Sequence, residues 1–187
     1  MADTLKLTLA SRRSSLRKLA LLVMGLSGYA TLSARDRPDR GAASGIVYHV
    51  ADGDSFSLTL NDGRRISVRI VGIDAPELGQ PFADVARQFL RNLIEGRAVE
   101  ITTVKIDPFG RAVATVMLNG QDVGLILVRA GLAWHFKRFE SEQSRDDRLA
   151  YAQAERVARQ DAIGLWADQT PQAPWEYRDR QRQQGRQ

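Results

Sequence analysis

Apolar residues recur at every second position from Gly45 onward. Ile46-Val47-Tyr48-His49-Val50 reads as a strand and Ala51-Asp52-Gly53-Asp54 as a turn, after which Phe56, Leu58 and Leu60 alternate with Ser55, Ser57 and Thr59. Asn61-Asp62-Gly63 predicts the next hairpin, because Asp-Gly tolerates the positive φ of a tight primed turn. Ile66, Val68 and Ile70 follow in alternation with Arg65, Ser67 and Arg69, so three antiparallel strands in a meander are expected, with Arg69 facing away from the apolar set. The run Ile70-Val71-Gly72-Ile73 stops at Asp74, and Pro76 both removes a ladder donor and disfavours a helical Ala75. Asp74 and Glu77 are therefore expected on a turn at a strand end, a position where scaffolds often carry reactive groups.

Past Pro81 the period becomes helical. Phe82, Val85, Ala86, Phe89, Leu90, Leu93 and Ile94 share one face, and Gly96 ends the helix. Residues 99–104 and 111–118 predict two further strands. Asp122 is the expected N-cap of a helix that buries Val123, Ile126, Leu127 and Ala130 and stops at Gly131. A last helix is expected over residues 144–160 with Ala150, Ala154, Val157 and Ala158 inward, followed by Gly164-Leu165-Trp166 as an apolar clasp. Five strands, a helix after the third and helices at the end suit an α+β fold, a five-stranded OB-type β-barrel with three helices over residues 45–168. Closure also removes exposed sheet edges.

The flanks carry no such period. Residues 1–34 place basic Ser11-Arg12-Arg13-Ser14-Ser15-Leu16-Arg17-Lys18 before an apolar run and then small residues, the order of a signal segment. Gly28-Tyr29-Ala30 fits a cleavage site, with Leu32-Ser33-Ala34 as a second choice; an uncleaved anchor also stays open, although the run is shorter than the roughly 20 residues of a bilayer span. Export to the periplasm or medium is expected, with no stable membrane span after processing. Residues 35–44 read as a linker, and residues 169–187, rich in Pro, Gln and Arg, as a loosely ordered basic tail.

Composition narrows the chemistry. The chain of 187 residues has no cysteine, which excludes disulfides, thiolate metal sites and cysteine nucleophiles. Its formal charge of +5 suggests a nucleic-acid partner until it is dissected: residues 1–34 hold five basic groups against one acid, so a chain without them carries +1. Net charge does not decide the partner.

Four places have chemical potential: Asp52-Gly53-Asp54, Arg69, Asp74 with Glu77, and Arg111 after a glycine turn. Taken singly each is ordinary turn or strand chemistry. Together they supply what phosphodiester hydrolysis needs, namely oxygen ligands for a hard cation, a base for water, and planar cations for the developing phosphoryl charge.

The series Val50-Ala51-Asp52-Gly53-Asp54-Ser55, Val68-Arg69-Ile70, Gly72-Ile73-Asp74-Ala75-Pro76-Glu77, Phe109-Gly110-Arg111, Leu127-Val128-Arg129-Ala130-Gly131-Leu132-Ala133 and Gly164-Leu165-Trp166 resembles the staphylococcal nuclease (thermonuclease) family. The resemblance implies an OB-type barrel and Ca²⁺-dependent cleavage of DNA and RNA by a monomer. Matched motif by motif, it implies Asp54 and Asp74 as metal ligands with the carbonyl of Ala75, Arg69 and Arg111 on the scissile phosphate, and Glu77 as general base or water-positioning group. Asp52 is then a turn residue. The family usually reads Asp-Arg-Tyr-Gly-Arg where this chain has Asp107-Pro108-Phe109-Gly110-Arg111, which bears on substrate affinity rather than on the chemistry. Trp134-His135-Phe136-Lys137-Arg138-Phe139 stands where tyrosines of the family contact nucleotide, so Trp134 and Lys137 are expected substrate contacts for single strands. Packing against the barrel is the favoured role for Trp134 and Phe136 over nucleotide contact, and His135 is read as structural. The alternatives to a nuclease are a nucleic-acid- or protein-binding module on the same barrel, and an envelope-associated structural factor with a basic tail.

Overall fold

The computed structural model of the protein describes residues 41–185. Its first three strands, β1 (Ala42–Val50), β2 (Ser55–Leu60) and β3 (Arg65–Ile70), form the expected antiparallel meander. Phe56, Leu58, Val68 and Ile70 are buried, as alternation requires of an inward face, and a register shift between Val47 and His49 in β1 lets Val47 and Val50 both point inward. The chain then leaves the barrel in a two-residue strand, β4 (Ile73–Asp74), before α1 (Ala83–Ile94).

β5 (Ala98–Ile106) pairs with β1 and, through a hairpin, with β6 (Ala112–Leu118). β6 also lies parallel to β3, so the order β3-β2-β1-β5-β6 closes on itself as a five-stranded barrel and each strand has two neighbours. A short β7 (Gln121–Asp122) leads into α2 (Val123–Arg129), whose N-cap Asp122 accepts the Leu125 N–H as anticipated. β8 (Trp134–His135) then pairs with β4. A 3₁₀ segment at Lys137–Glu142 leads to α3 (Arg145–Gln160), another at Gly164–Ala167 follows, and α4 (Pro174–Gln184) ends the described chain.

The clasp forms. Leu165 and Trp166 are buried, and the Leu165 N–H donates to the Gly131 carbonyl at 2.8 Å. A Cβ on Gly131 would stand 2.1 Å from the Ile163 oxygen, and one on Gly164 would stand 2.2 Å from the Gly131 oxygen. Two backbones therefore touch where only glycines let them.

Several boundaries differ from the sequence reading. The linker expected over 35–44 is cut short, because Ala42, Ala43 and Ser44 extend β1 by pairing with Thr102, Ile101 and Glu100. Val85 lies at the edge of the α1 stripe and is exposed, since Ala83, Ala86, Leu90 and Ile94 make its buried face. On α3 the inward face is Tyr151, Ala154, Glu155 and Ala158, with Val157 exposed. Glu155 tolerates burial because it accepts the His135 N–H and pairs with Lys137 and Arg159.

The larger correction concerns the C-terminus. Within the tail read as loosely ordered over residues 169–187, Pro174–Gln184 form a helix with Pro174 in its first turn. Trp175 anchors it, stacking on Phe136 with ring centroids 5.2 Å apart and meeting Trp134 edge-on at 5.4 Å. A fourth helix is thus added to the three expected. The signal segment expected over residues 1–34 lies outside the described residues, among which no helix is long and apolar enough to cross a membrane.

Candidate functional site

One end of the barrel gathers three chain turns. Register sets Arg69 opposite Ser55 on β2 and opposite Val113 on β6, so Asp54, Arg69 and Arg111 all come from strand ends on the same rim. The turn before β2 is shaped by Asp52, whose Oδ1 accepts the Asp54 N–H at 3.0 Å, in keeping with a turn role for that residue. A Cβ at Gly53 would lie 2.7 Å from the Ala75 Cβ and 2.9 Å from the Ala86 Cβ. Glycine at 53 lets this turn press against both the Asp74 turn and α1.

Asp54 is 3% exposed and Asp74 0%. Arg69 ties them together, with Nη1 2.7 Å from Asp54 Oδ1 and Nη2 2.7 Å from Asp74 Oδ1. Asp54 also accepts the Ser55 hydroxyl at 2.9 Å and the Ala75 N–H at 2.9 Å. Burial pushes the Asp54 carboxyl up, and Asp52 adds repulsion, against the opposing pull of Arg69 and the two hydrogen bonds. For Arg69 burial works downward, but Asp54 and Asp74 outweigh it and leave the guanidinium more firmly charged than usual.

Arg111 is aimed by Asp107. Asp107 Oδ2 accepts from Arg111 Nε at 2.8 Å, and Oδ1 accepts the Arg111 and Phe109 N–H groups at 2.9 Å. Burial works upward on Asp107, but these bonds outweigh it and hold the carboxyl below the usual range. With Nε engaged, the terminal nitrogens of Arg111 are left toward the rim, Nη1 lying 3.5 Å from Ser55 Oγ. Phe109 beside it is 82% exposed. Asp54, Arg69, Ala75, Glu77 and Arg111 line one cleft of about 760 Å³.

A residue that sequence reasoning counted only as tail charge also enters this cleft. Arg178 of α4 places Nη2 2.8 Å from Asp74 Oδ2 and Nη1 3.2 Å from Asp74 Oδ1, and Nη1 also pairs with Glu77 Oε1. Burial works against its charge, but Asp74 and Glu77 outweigh it and raise its affinity for the proton. The one available signal was Trp175 three positions before Arg178, an apolar anchor in an otherwise polar run.

Two expected substrate contacts are not brought here. Trp134 is 8% exposed and sits in a cluster with Trp166 (ring centroids 4.4 Å) and Trp175, with the Arg159 guanidinium 4.8 Å from its ring. Its faces are occupied by protein. Lys137 turns to Glu155, 2.7 Å away, and does not line the cleft. His135 is buried, its Nε2 3.0 Å from Gln143 Oε1, and burial lowers its proton affinity, consistent with the structural reading.

The donor chemistry of the acids suits a hard cation. Two buried carboxylates share one rim, and a divalent ion would relieve the burial cost that Asp54 carries. Among the described residues no group of three or more His, Cys, Asp or Glu is gathered into a metal cage. Such an ion would complete its shell from backbone carbonyl and water.

Residues 67–168 match the family described as staphylococcal nuclease homologue. The chain is 34% identical over 137 residues to an uncharacterized endonuclease of Escherichia coli O157:H7, a match covering 73% of this chain and 85% of that protein. It is 34% identical over 143 residues to the micrococcal nuclease of Shigella flexneri, covering 72% and 79% respectively. Similarity extends to staphylococcal-like nuclease CAN1 of Arabidopsis thaliana, 34% identical over 119 residues, or 64% of this chain and 35% of that protein. The chain spans about a third of the length of the plant relatives it matches.

Proposed function

Because the chain belongs to the staphylococcal nuclease family, we propose that it is a nuclease that hydrolyses phosphodiester bonds of DNA and RNA with the aid of Ca²⁺. The observation that carries this reading is the meeting of Asp54, Asp74, Arg69, Glu77 and Arg111 at one rim of the barrel. Asp54, Asp74 and the Ala75 carbonyl would hold the ion. Bound there, calcium would draw charge from a phosphoryl oxygen and make a neighbouring water more acidic.

The chain's own groups do the rest. Arg69, braced by two acids, and Arg111, braced by Asp107, present fixed guanidinium groups to the phosphoryl oxygens as negative charge accumulates. Glu77 Oε accepts a proton from the attacking water while the water oxygen bonds to phosphorus and the ester oxygen departs. The basic and then apolar order of residues 1–34 supports action outside the cytoplasm.

Incubating the protein with a plasmid and with single-stranded RNA tests the reading. Degradation with calcium that stops on chelation supports it. Retained binding of nucleic acid without cleavage at any calcium concentration replaces it with the binding-module alternative.

A further inference from the structure

We propose that Arg178 is a resident cation that a divalent ion must displace from Asp74, so that α4 holds the metal-free protein in a closed, inactive state. The inference rests on the metal-site reading of Asp54 and Asp74 above and extends it to a helix that lies beyond the residues matching the family.

The geometry is that of substitution. Both oxygens of Asp74 are in use, Oδ1 by Arg69 at 2.7 Å and by Arg178 at 3.2 Å, and Oδ2 by Arg178 at 2.8 Å. Asp74 has no exposed surface, and it does not itself line the cleft that its neighbours Ile73 and Ala75 line. A cation arriving from that cleft meets a guanidinium already seated on the carboxylate, and like charges cannot share the position. The same guanidinium pairs with Glu77 Oε1, so a lone pair needed to accept a proton is engaged as well. A single side chain thereby occupies a metal ligand and the general base.

Of the two arginines on Asp74, Arg178 is the one able to leave. Arg69 stands on a strand of the closed barrel that is paired on both sides. Arg178 stands on a terminal helix whose other anchors are Pro174, Trp175 packed on Phe136 and Trp134, and Tyr177 beside Gly79. Terminal elements with few contacts open at low free-energy cost. Arg178 is also partly exposed, with 32% of its side chain open, so a released guanidinium has water within reach.

Isothermal titration of the full-length protein with calcium chloride tests this. Arg178→Gln is expected to bind calcium at least tenfold more tightly than the unsubstituted protein. Arg180→Gln, which removes the same charge from an exposed position of the same helix, is expected to bind as the unsubstituted protein does. Equal or weaker binding by Arg178→Gln overturns the proposal while leaving the metal site intact. Absence of binding in every variant removes the metal site itself, and the proposal with it. A second measurement needs no variant: hydrogen exchange in residues 174–184 of the unsubstituted protein should quicken on adding saturating calcium. Unchanged or slower exchange there overturns the displacement even if Arg178→Gln fails to fold.

Discussion

Asp54 and Ala75 are joined across two turns, the Ala75 N–H donating to Asp54 Oδ2 at 2.9 Å. The bond fixes the turn that carries Asp74 against the turn that carries Asp54, and Arg69 closes the pair from the other side. Backbone, rather than two free side chains, therefore sets the spacing of the acids. Preorganisation of this kind spares a bound ion the cost of gathering its ligands.

In the calcium-site reading, charge at position 54 serves binding of the ion at a cost in burial that Arg69 offsets only in part. A carboxylate buried beside Asp52 is poorly solvated, and asparagine keeps its shape and an oxygen to accept the Ala75 N–H, but its amide NH₂ then faces Arg69 Nη1, from which Asp54 Oδ1 accepts. Asp54→Asn is expected to lower calcium affinity at least about tenfold, a formal charge being removed from a site with few protein ligands. Stability without calcium should fall by about 1–3 kcal/mol, the cost of a buried donor left unpaired at Arg69. Calorimetry and urea unfolding measure the two quantities; unchanged calcium affinity removes Asp54 from the metal site.

The barrel and most of the rim were legible because their signals are local. Alternation marked β2 and β3, Asp-Gly marked the turns, and Pro76 ended β4, so Asp54, Arg69 and Asp74 could be placed before any contact was known. Two kinds of information were not local. Trp134 offers both a substrate contact and a packing role in the sequence, and only its partners Trp166 and Trp175, which come from distant segments, decide for packing. α4 carries no apolar stripe to announce a docked helix; Pro174, Trp175, Tyr177 and the ion pairs of Arg178 with Asp74 and Glu77, formed across 104 and 101 residues, hold it in place. Glu155 is absent from the inward face expected of α3 for the same reason, since only its partners Lys137 and Arg159 make a buried carboxylate acceptable there.

His135 should leave a mark on the pH dependence of stability. It is 2% exposed, its Nδ1 has no hydrogen-bond partner among the described residues, and burial holds it below its ordinary value of 6.5. The unfolded chain takes up a proton near 6.5 that the native state resists, so stability falls as pH drops through 6.5 toward the lower native value. Above 6.5 both states are neutral and the effect vanishes. His135→Gln should flatten that fall by up to about 1.4 kcal/mol per pH unit, measured by urea unfolding between about pH 7 and 5.5. An unchanged slope would assign it to other groups.

The N-terminal boundary can be tested by shortening the chain. A protein beginning at Arg35 keeps all of β1 and should match the full chain in stability and cleavage. One beginning at Gly45 loses the pairs Ala42↔Thr102, Ala43↔Ile101 and Ser44↔Glu100, together with the Ser44 carbonyl that accepts the Asn61 N–H at 3.1 Å. Exposing that length of β5 should cost about 1–3 kcal/mol. Equal thermal midpoints for the two shortened proteins would show that Ala42–Ser44 contribute nothing.

Arg111 offers the sharpest kinetic test, because its anchoring separates shape from charge. Asp107 holds Nε at 2.8 Å, so the guanidinium plane is fixed before substrate arrives and its terminal nitrogens can meet two phosphoryl oxygens together. Lysine at 111 retains the charge but has neither the plane nor an Nε for Asp107 to hold. An interaction made chiefly in the transition state lowers kcat when removed, whereas one made equally in the ground state raises KM. Arg111→Lys is therefore expected to lower kcat by the equivalent of about 3 kcal/mol or more, the scale of losing a preorganised oxyanion donor. KM and calcium affinity should change little, since Asp54 and Asp74 touch Arg69 and Arg178 rather than Arg111. Rates on single-stranded DNA at saturating calcium decide the matter. Turnover near that of the unsubstituted protein would make Arg111 a strand-end cation held by Asp107 for the turn alone, and a rise in KM at constant kcat would make it a substrate-binding group with no special hold on the transition state.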